Sequence, residues 1–334
     1  MHAAGDVRVE DRDDPIIQEP TDAIIRLAAS CICGSDLWPY RGADDVDATP
    51  MGHEYVGVVT EIGDAVKNVK VGDFVVGSFM ASDNTCEICQ AGYQSRCVHV
   101  VPMGRVGTQA EFARIPLADG TLVATPRQPD ADLIPSLLAA SDVLGTGWFA
   151  AVAAEVGPGK TVAVVGDGAV GLLGILAAKQ LGAERIIAMS RHADRQELAR
   201  RFGATDIVEE RGDEGIAKVK ELTHGLGAHS AIEAVGTQQS MEQAVRSTRP
   251  GGHIGFVGVS HEVTLEGQEL FRSAVHLHGG PAPVRRFLPE LIQLIWDREI
   301  DPGAVFDLTL PLEEAAEGYR AMDERRATKV LLTI

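Results

Sequence analysis

The sequence predicts a two-domain α/β protein: a mostly β domain, then a doubly wound parallel sheet. Three observations predict it. The first 145 residues are rich in Gly, Val and short alternating segments. From Gly157-Pro158-Gly159 onward the pattern changes to strands alternating with helices, which means βαβ units and a parallel sheet. At the start of that region, Gly166-Asp167-Gly168-Ala169-Val170-Gly171 sits between an apolar strand and an apolar helix. A length of 334 residues exceeds one typical domain. The expected division is 1–150, 151–280, and a tail, 281–334, that returns to the first domain.

In the first domain, Val7–Glu10, Asp22–Ala29, Tyr55–Ile62, Phe74–Val76 and Glu111–Ile115 read as strands between Gly and Pro turns. In the second, Val162–Val165 is a buried-type strand and Leu172–Leu181 the helix after it. The alternation continues with strand Ile186–Met189, helix Asp194–Phe202, strand Ile207–Val208 and helix Glu214–Leu222. Strand Ser230–Ala234, helix Ser240–Thr248 and strands His253–Val257 and Val275–Leu277 complete it. The tail offers helices over Arg286–Trp296 and Leu312–Glu324 and ends on an apolar strand, Val330–Thr333.

Composition excludes several classes of partner. The net charge of −18 argues against nucleic acid or an anionic membrane surface. No apolar run reaches transmembrane length and the N-terminus does not read as a signal peptide, so the expected location is cytoplasmic. Five cysteines, at 31, 33, 86, 89 and 97, are an odd count that favours metal over a disulfide framework. Cys31 has no ligand spacing and reads as a core thiol. Charge runs such as Asp11-Arg12-Asp13-Asp14 read as solvated faces.

A lone G-x-G-x-x-G is weak, but here Gly166, Gly168 and Gly171 have the strand–turn–helix context the motif requires. The glycines permit a tight turn and close approach of a pyrophosphate, and the helix N-terminus supplies free N–H groups. An Asp or Glu at the end of the second strand would bond a ribose 2′-hydroxyl and repel a 2′-phosphate. This chain has Ser190-Arg191-His192 there, with Arg195 a turn later. A hydroxyl and two guanidinium groups suit a phosphate, so NADP(H) is expected over NAD(H). The plainer reading is that Arg191 and Arg195 begin a solvated helix.

Cys33-Gly34-Ser35-Asp36 and Gly52-His53-Glu54 place a thiol, an imidazole, a hydroxyl and two carboxylates within some twenty residues. Thiolate and imidazole are ligands Zn²⁺ prefers. In isolation, Cys33 and His53 would read as a core thiol and a satisfied core histidine. A catalytic zinc takes three protein ligands and leaves one position open. Asp142, in an apolar stretch before Leu144-Gly145-Thr146-Gly147, is the candidate third ligand; alone it would read as a helix N-cap.

Taken together these motifs resemble the zinc-dependent medium-chain alcohol dehydrogenases, over essentially the whole chain. The Asp at 142 with Ser-Arg after the second strand is most similar to bacterial NADP-dependent secondary alcohol dehydrogenases. The resemblance implies a GroES-like catalytic domain and a Rossmann cofactor domain. It implies Cys33, His53 and Asp142 as ligands of a catalytic zinc, with Glu54 able to exchange onto the metal. Ser35 would pass the alcohol proton and Asp36 would fix the His53 ring. Thr146 would press on the nicotinamide and Lys329 would reach the cofactor pyrophosphate. The family pairs as homodimers or homotetramers, acting on small-molecule alcohols and carbonyls.

Three departures stand out. Trp38 occupies the position where many members end the proton path with a His, so Trp38 is expected to wall an apolar substrate pocket with Leu144. The family's structural-zinc lobe uses four Cys, whereas this chain has Asp83, Cys86, Cys89 and Cys97. An Asp oxygen can ligate zinc; the alternatives are three Cys completed by water, or a lobe without metal. The segment before Gly5-Asp6-Val7 is short, which would leave a sheet edge unpaired. Two competing readings are a zinc-free enone or quinone reductase of the same fold and a non-catalytic NADP-binding protein.

Overall fold

The computed structural model describes residues Met1–Ile334 apart from Arg105. The chain divides into two compact units, Met1–Gly145 with Pro283–Ile334, and Thr146–Ala282.

The first unit is built on the strand Ala23–Ile32, the longest of its sheet. The strand order is Leu308–Pro311, Val330–Thr333, Ala23–Ile32, Tyr55–Ile62, Phe74–Gly77 and Leu122–Ala124. Phe112–Ile115 also pairs with Ala23–Ile32. One edge of the long strand is therefore shared. Its first half, Ala23–Arg26, bonds Phe112–Ile115, and its last residues, Ala29–Ile32, bond Val330–Thr333. Two register shifts against Tyr55–Ile62, at Ile24/Ile25 and Leu27/Ala29, bend it between the two partners. A core of Ala23, Ile25, Leu27, Tyr55, Val75, Ile115 and Leu122 fills one end. Ile32, Leu37, Tyr319, Val330 and Leu332 form a second cluster, where the long strand delivers Cys33. The C-terminal strand thus belongs to the same sheet as the first one.

The second unit is a six-stranded, wholly parallel sheet. Its order is Asp206–Val208, Arg185–Met189, Thr161–Val165, Ala228–Glu233, Thr248–Phe256 and His276–Gly279. This is the doubly wound 3-2-1-4-5-6 arrangement of a Rossmann fold. Its first strand is apolar and buried, as a central parallel strand must be. The Gly-rich turn leaves the carboxyl end of that strand and enters the helix Ala169–Gln180. Gly166 has φ +120°, and a Cβ on Gly171 would lie 2.0 Å from the Gly166 carbonyl oxygen. A Cβ on Gly168 would meet nothing within 4 Å.

Most expected elements form within a residue or two of their sequence bounds. The strands Ala23–Ile32 and Thr248–Phe256 and the helix Ala169–Gln180 run three to five residues beyond theirs, and one does not form: Val7–Glu10 lacks regular structure, and Val9 is 48% exposed. Alternation over four residues is too short to establish a strand that finds no partner. Leu312–Glu324 divides into a 3-10 turn, Leu312–Glu314, and the helix Ala315–Asp323. The strands Leu122–Ala124 and Leu308–Pro311 and the helices Ile134–Ala140 and Val143–Ala153 went unread. The last is apolar on every side and so gives no amphipathic signal. Among the described residues no single helix is long and apolar enough to cross a membrane, and the bent pair Ala131–Ala140 and Val143–Ala153 is largely buried.

Gly171→Ala forces a methyl onto backbone and should lower unfolding stability by about 1–3 kcal/mol or more in denaturant titration. Gly168→Ala should change it by less than about 0.5 kcal/mol.

Candidate active site

Cys33 follows the long strand directly and caps the short turn Gly34–Asp36. Asp36 folds back across this turn: its Oδ2 accepts the Cys33 N–H at 3.0 Å, while the Asp36 N–H donates to the Cys33 carbonyl at 3.1 Å. His53 and Glu54 precede the strand Tyr55–Ile62. Gly52 is required there, with φ +99°, because a Cβ would lie 2.5 Å from the Gln109 backbone nitrogen. Asp142 occupies the corner between the helices Ile134–Ala140 and Val143–Ala153.

These segments bring Cys33, His53, Glu54 and Asp142 together, all buried, with one donor atom from each within 4.8 Å of the others. His53 Nε2 lies 3.3 Å from Asp142 Oδ2, and the Cys33 Sγ lies 3.8 Å from the same oxygen. The other ring nitrogen, Nδ1, faces Asp36 Oδ1 at 3.5 Å. Glu54 Oε1 accepts from Lys329 Nζ at 2.7 Å, and Oε2 is buried with no hydrogen-bond partner among the described residues. Burial, then the charge of Glu54, pushes the Cys33 thiol up. Burial alone would lower His53, but Asp36, Cys33 and Asp142 outweigh it and hold the ring well above its usual value. A buried carboxylate oxygen without a donor, beside a thiol, an imidazole and a second carboxylate, fits a divalent cation. The donor set suits zinc.

Outside the four donors lies a network the sequence did not announce. Gln109 donates to the Cys31 carbonyl at 3.1 Å and to Asp36 Oδ2 at 3.4 Å, and it accepts from the Tyr319 hydroxyl at 3.0 Å. Tyr319 is fully buried and stacks on Tyr40 with ring centroids 5.5 Å apart. Gln109 belongs to no recognisable motif, so only tertiary structure reveals it. Ser35 and Trp38 are both half-buried, two and five residues beyond Cys33.

Lys329, expected at a cofactor pyrophosphate, is 1% exposed, and its ammonium is taken by Glu54 and by the Ile32 carbonyl at 3.2 Å. Leu144, expected beside Trp38 in a substrate pocket, is fully buried. Thr146 follows it in the same helix and is buried as well.

At the Gly-rich turn, Asp167 is brought to the end of the second strand. Its Oδ2 accepts from the Ser190 hydroxyl at 2.9 Å and its Oδ1 pairs with Arg195 at 3.2 Å. Burial would raise the Asp167 pKa, but Ser190 and Arg195 hold it below the usual range. Arg191 is exposed.

The second cluster, Asp83, Cys86, Cys89 and Cys97, also places one donor atom from each residue within 4.8 Å of the others. The ribbon formed by Met80–Ala81 and Val101–Pro102 closes the neck of this lobe. Cys86 Sγ lies 3.9 Å from Cys97 Sγ. Backbone N–H groups lower the Cys86 thiol to about 7. Burial raises Asp83, but bonds from His99, Thr85 and Cys86 outweigh it and keep the carboxylate ionised. Cys31 is buried in its strand, and burial holds its thiol well above the usual value.

Residues 19–127 match the alcohol dehydrogenase GroES-like domain, and residues 169–296 match the zinc-binding dehydrogenase family. A zinc-type alcohol dehydrogenase B of Aspergillus flavus is 34% identical over 99% of this chain and 79% of its own. The chain belongs to the zinc-type alcohol dehydrogenase family. A probable zinc-binding alcohol dehydrogenase of Mycobacterium tuberculosis is 36% identical over 96% of this chain and 83% of its own. Among solved structures, an alcohol dehydrogenase from Thermus sp. ATN1 superposes with a TM-score of 0.91 at 30% identity, covering 100% of this chain and 98% of that one. The protein is therefore an oxidoreductase of the alcohol dehydrogenase type, and zinc is the metal its buried Cys–His–carboxylate cluster fits.

Replacing Lys329 by Met would strand a buried carboxylate. Stability should fall by about 3–5 kcal/mol, and Lys329→Met/Glu54→Gln should recover most of it. Chemical unfolding of the single and double variants measures this.

Proposed function

We propose that this chain interconverts a small alcohol and its aldehyde or ketone with NADP(H), using Cys33, His53 and Asp142 as the three ligands of a catalytic zinc. The observation that carries this reading is the convergence of those three donors on one buried point beside the orphaned Glu54 oxygen. When bound, zinc supplies Lewis acidity that eases loss of the alcohol proton and polarises a carbonyl. The remaining work falls to the chain. Asp36 fixes the His53 ring and clasps the Cys33 backbone, holding two ligands from one side chain. Ser35 would take the alcohol proton, and a nicotinamide, when bound at the Gly-rich turn, would supply the hydride acceptor or donor for the carbinol carbon. Burial of the donors keeps water from competing at the reacting atoms. Glu54, tethered to Lys329 by one oxygen, keeps its other oxygen available to the metal. Trp38 walls the substrate pocket in place of a proton-exit His, which favours a bulky or aromatic alcohol.

NADP(H) rests on the absence of an acid at residue 190 and on the exposed Arg191. Asp167 already neutralises Arg195, which leaves Arg191 as the guanidinium for a 2′-phosphate. The open space over Gly168 suits the pyrophosphate, with Gly166 and Gly171 forming the tight turn beneath it. A cytoplasmic homodimer or homotetramer, with the Asp83 lobe holding a structural zinc, completes the reading.

Cys33→Ser or His53→Ala should abolish turnover of an alcohol panel while leaving NADPH binding by fluorescence titration near wild type; surviving turnover would refute the zinc mechanism. Arg191→Ala should raise the KM for NADPH by about 10- to 100-fold, the loss of one charge-assisted phosphate contact, and the KM for NADH little. Equal effects on both cofactors would remove the phosphate assignment.

A further inference from the structure

The cysteines of the lobe between Met80–Ala81 and Val101–Pro102 are aimed by short side chains; its carboxylate is not. A thiolate is placed by one side-chain torsion. A carboxylate is placed by two and offers two competing oxygens, so it needs outside contacts to point one way. Asp83 has such contacts from both ends of the lobe. Its Oδ1 accepts the N–H groups of Thr85 at 2.8 Å and Cys86 at 3.1 Å. Its Oδ2 lies 2.6 Å from His99 Nδ1. A carboxylate has no proton to give, so Nδ1 carries the hydrogen and donates. The same residue acts at a second donor: the His99 backbone N–H donates to Cys97 Sγ at 3.3 Å. Core packing does not account for the placement of the His99 ring, since the side chain is 68% exposed against 17% for Asp83. Nor does His99 join the convergent donors, which among the described residues are Asp83, Cys86, Cys89 and Cys97.

We propose that His99 is a positioning residue for Asp83, aiming its carboxylate as the fourth metal ligand of the lobe while its backbone supports the Cys97 sulfur. The sequence feature is the pair Asp83 and Cys97-x-His99, in which a histidine two residues after the last cysteine compensates for an aspartate at the first ligand position. The inference rests on the reading of this lobe as a zinc site. Partners that orient a ligand in this way are worth about 10- to 100-fold in metal affinity.

The test uses the full chain, with zinc per chain measured by mass spectrometry against a competing chelator and with cobalt absorption as a second readout. Wild type should hold about two zinc ions, and Cys86→Ser about one. His99→Ala should weaken the second zinc by about 10- to 100-fold, and His99→Asn, which keeps an N–H near the Nδ1 position, should restore most of it. Asp83→Cys should raise the lobe's share of the thiolate-to-cobalt absorbance by about a third, for four lobe thiolates in place of three, and should make His99→Ala harmless. Unchanged zinc affinity in His99→Ala would overturn the positioning role and leave the zinc lobe standing. No added absorbance in Asp83→Cys, with metal still lost in His99→Ala, would make His99 the ligand and overturn the proposal. If Cys86→Ser costs no metal, the lobe reading falls and takes the proposal with it. Circular dichroism of each variant separates metal loss from misfolding.

Discussion

Glu54 and Lys329 form an ion pair that is 0% and 1% exposed, and the first unit is organised around it. Each charge alone would cost several kcal/mol in this interior. The pair answers that cost with one short bond and a second donor contact to the Ile32 carbonyl. It also ties together three segments: the last residue of the long strand, Ile32, which precedes Cys33; Glu54, just before the strand Tyr55–Ile62; and Lys329, just before the strand Val330–Thr333. One Glu54 oxygen nevertheless stays without a partner among the described residues, with the Asp142 carboxylate and the Cys33 sulfur nearby. The lysine neutralises part of this concentration of acidic groups. The remainder calls for a second cation, which is why the cluster reads as a metal site and not as an ordinary buried ion pair.

Preorganisation of that site is layered. Asp36 holds the Cys33 backbone and the His53 ring, Gln109 holds Asp36, and Tyr319 holds Gln109. Asp36 and Tyr319 sit in helical segments, and Gln109, in a bend, is fixed by its backbone N–H to the Met51 carbonyl at 3.0 Å and by its side-chain bonds. The geometry is therefore set before any metal or substrate arrives, which is what a hydride-transfer site needs. The Asp83 lobe is built differently. It is a short, partly exposed excursion closed by a two-residue ribbon, with little apolar burial of its own. Metal ligation and hydrogen bonding must supply the stability that packing does not.

At the cofactor turn the charges are also partly balanced in advance. Asp167 faces Ser190 and Arg195 across the carboxyl ends of the first two parallel strands. The basic character visible in the sequence around residues 190–195 is thus half cancelled by an acid contributed from the Gly-rich turn. Linear reading sees the arginines; only folding shows which one is already paired.

Local chemistry determined a great deal here. Backbone constraints made the Gly166–Gly171 turn legible, because only glycine tolerates a 2.0 Å approach to a carbonyl or φ near +120°. Periodicity made the parallel strands and amphipathic helices legible, and ligand chemistry marked Cys33, His53, Asp142 and the three lobe cysteines. The tertiary structure alone decided what depends on long-range contact. It turned Lys329 inward to Glu54, 275 residues away. It buried Leu144 in a helix whose uniform apolarity hides its faces, left Val7–Glu10 without a strand partner, and set Gln109, Tyr319, Asp167 and His99 against residues they could not be matched to in sequence. The division has one physical reason. Turns, caps and ligand types are written in neighbouring residues, whereas the pairing of buried charges is settled by which segments the sheet brings together.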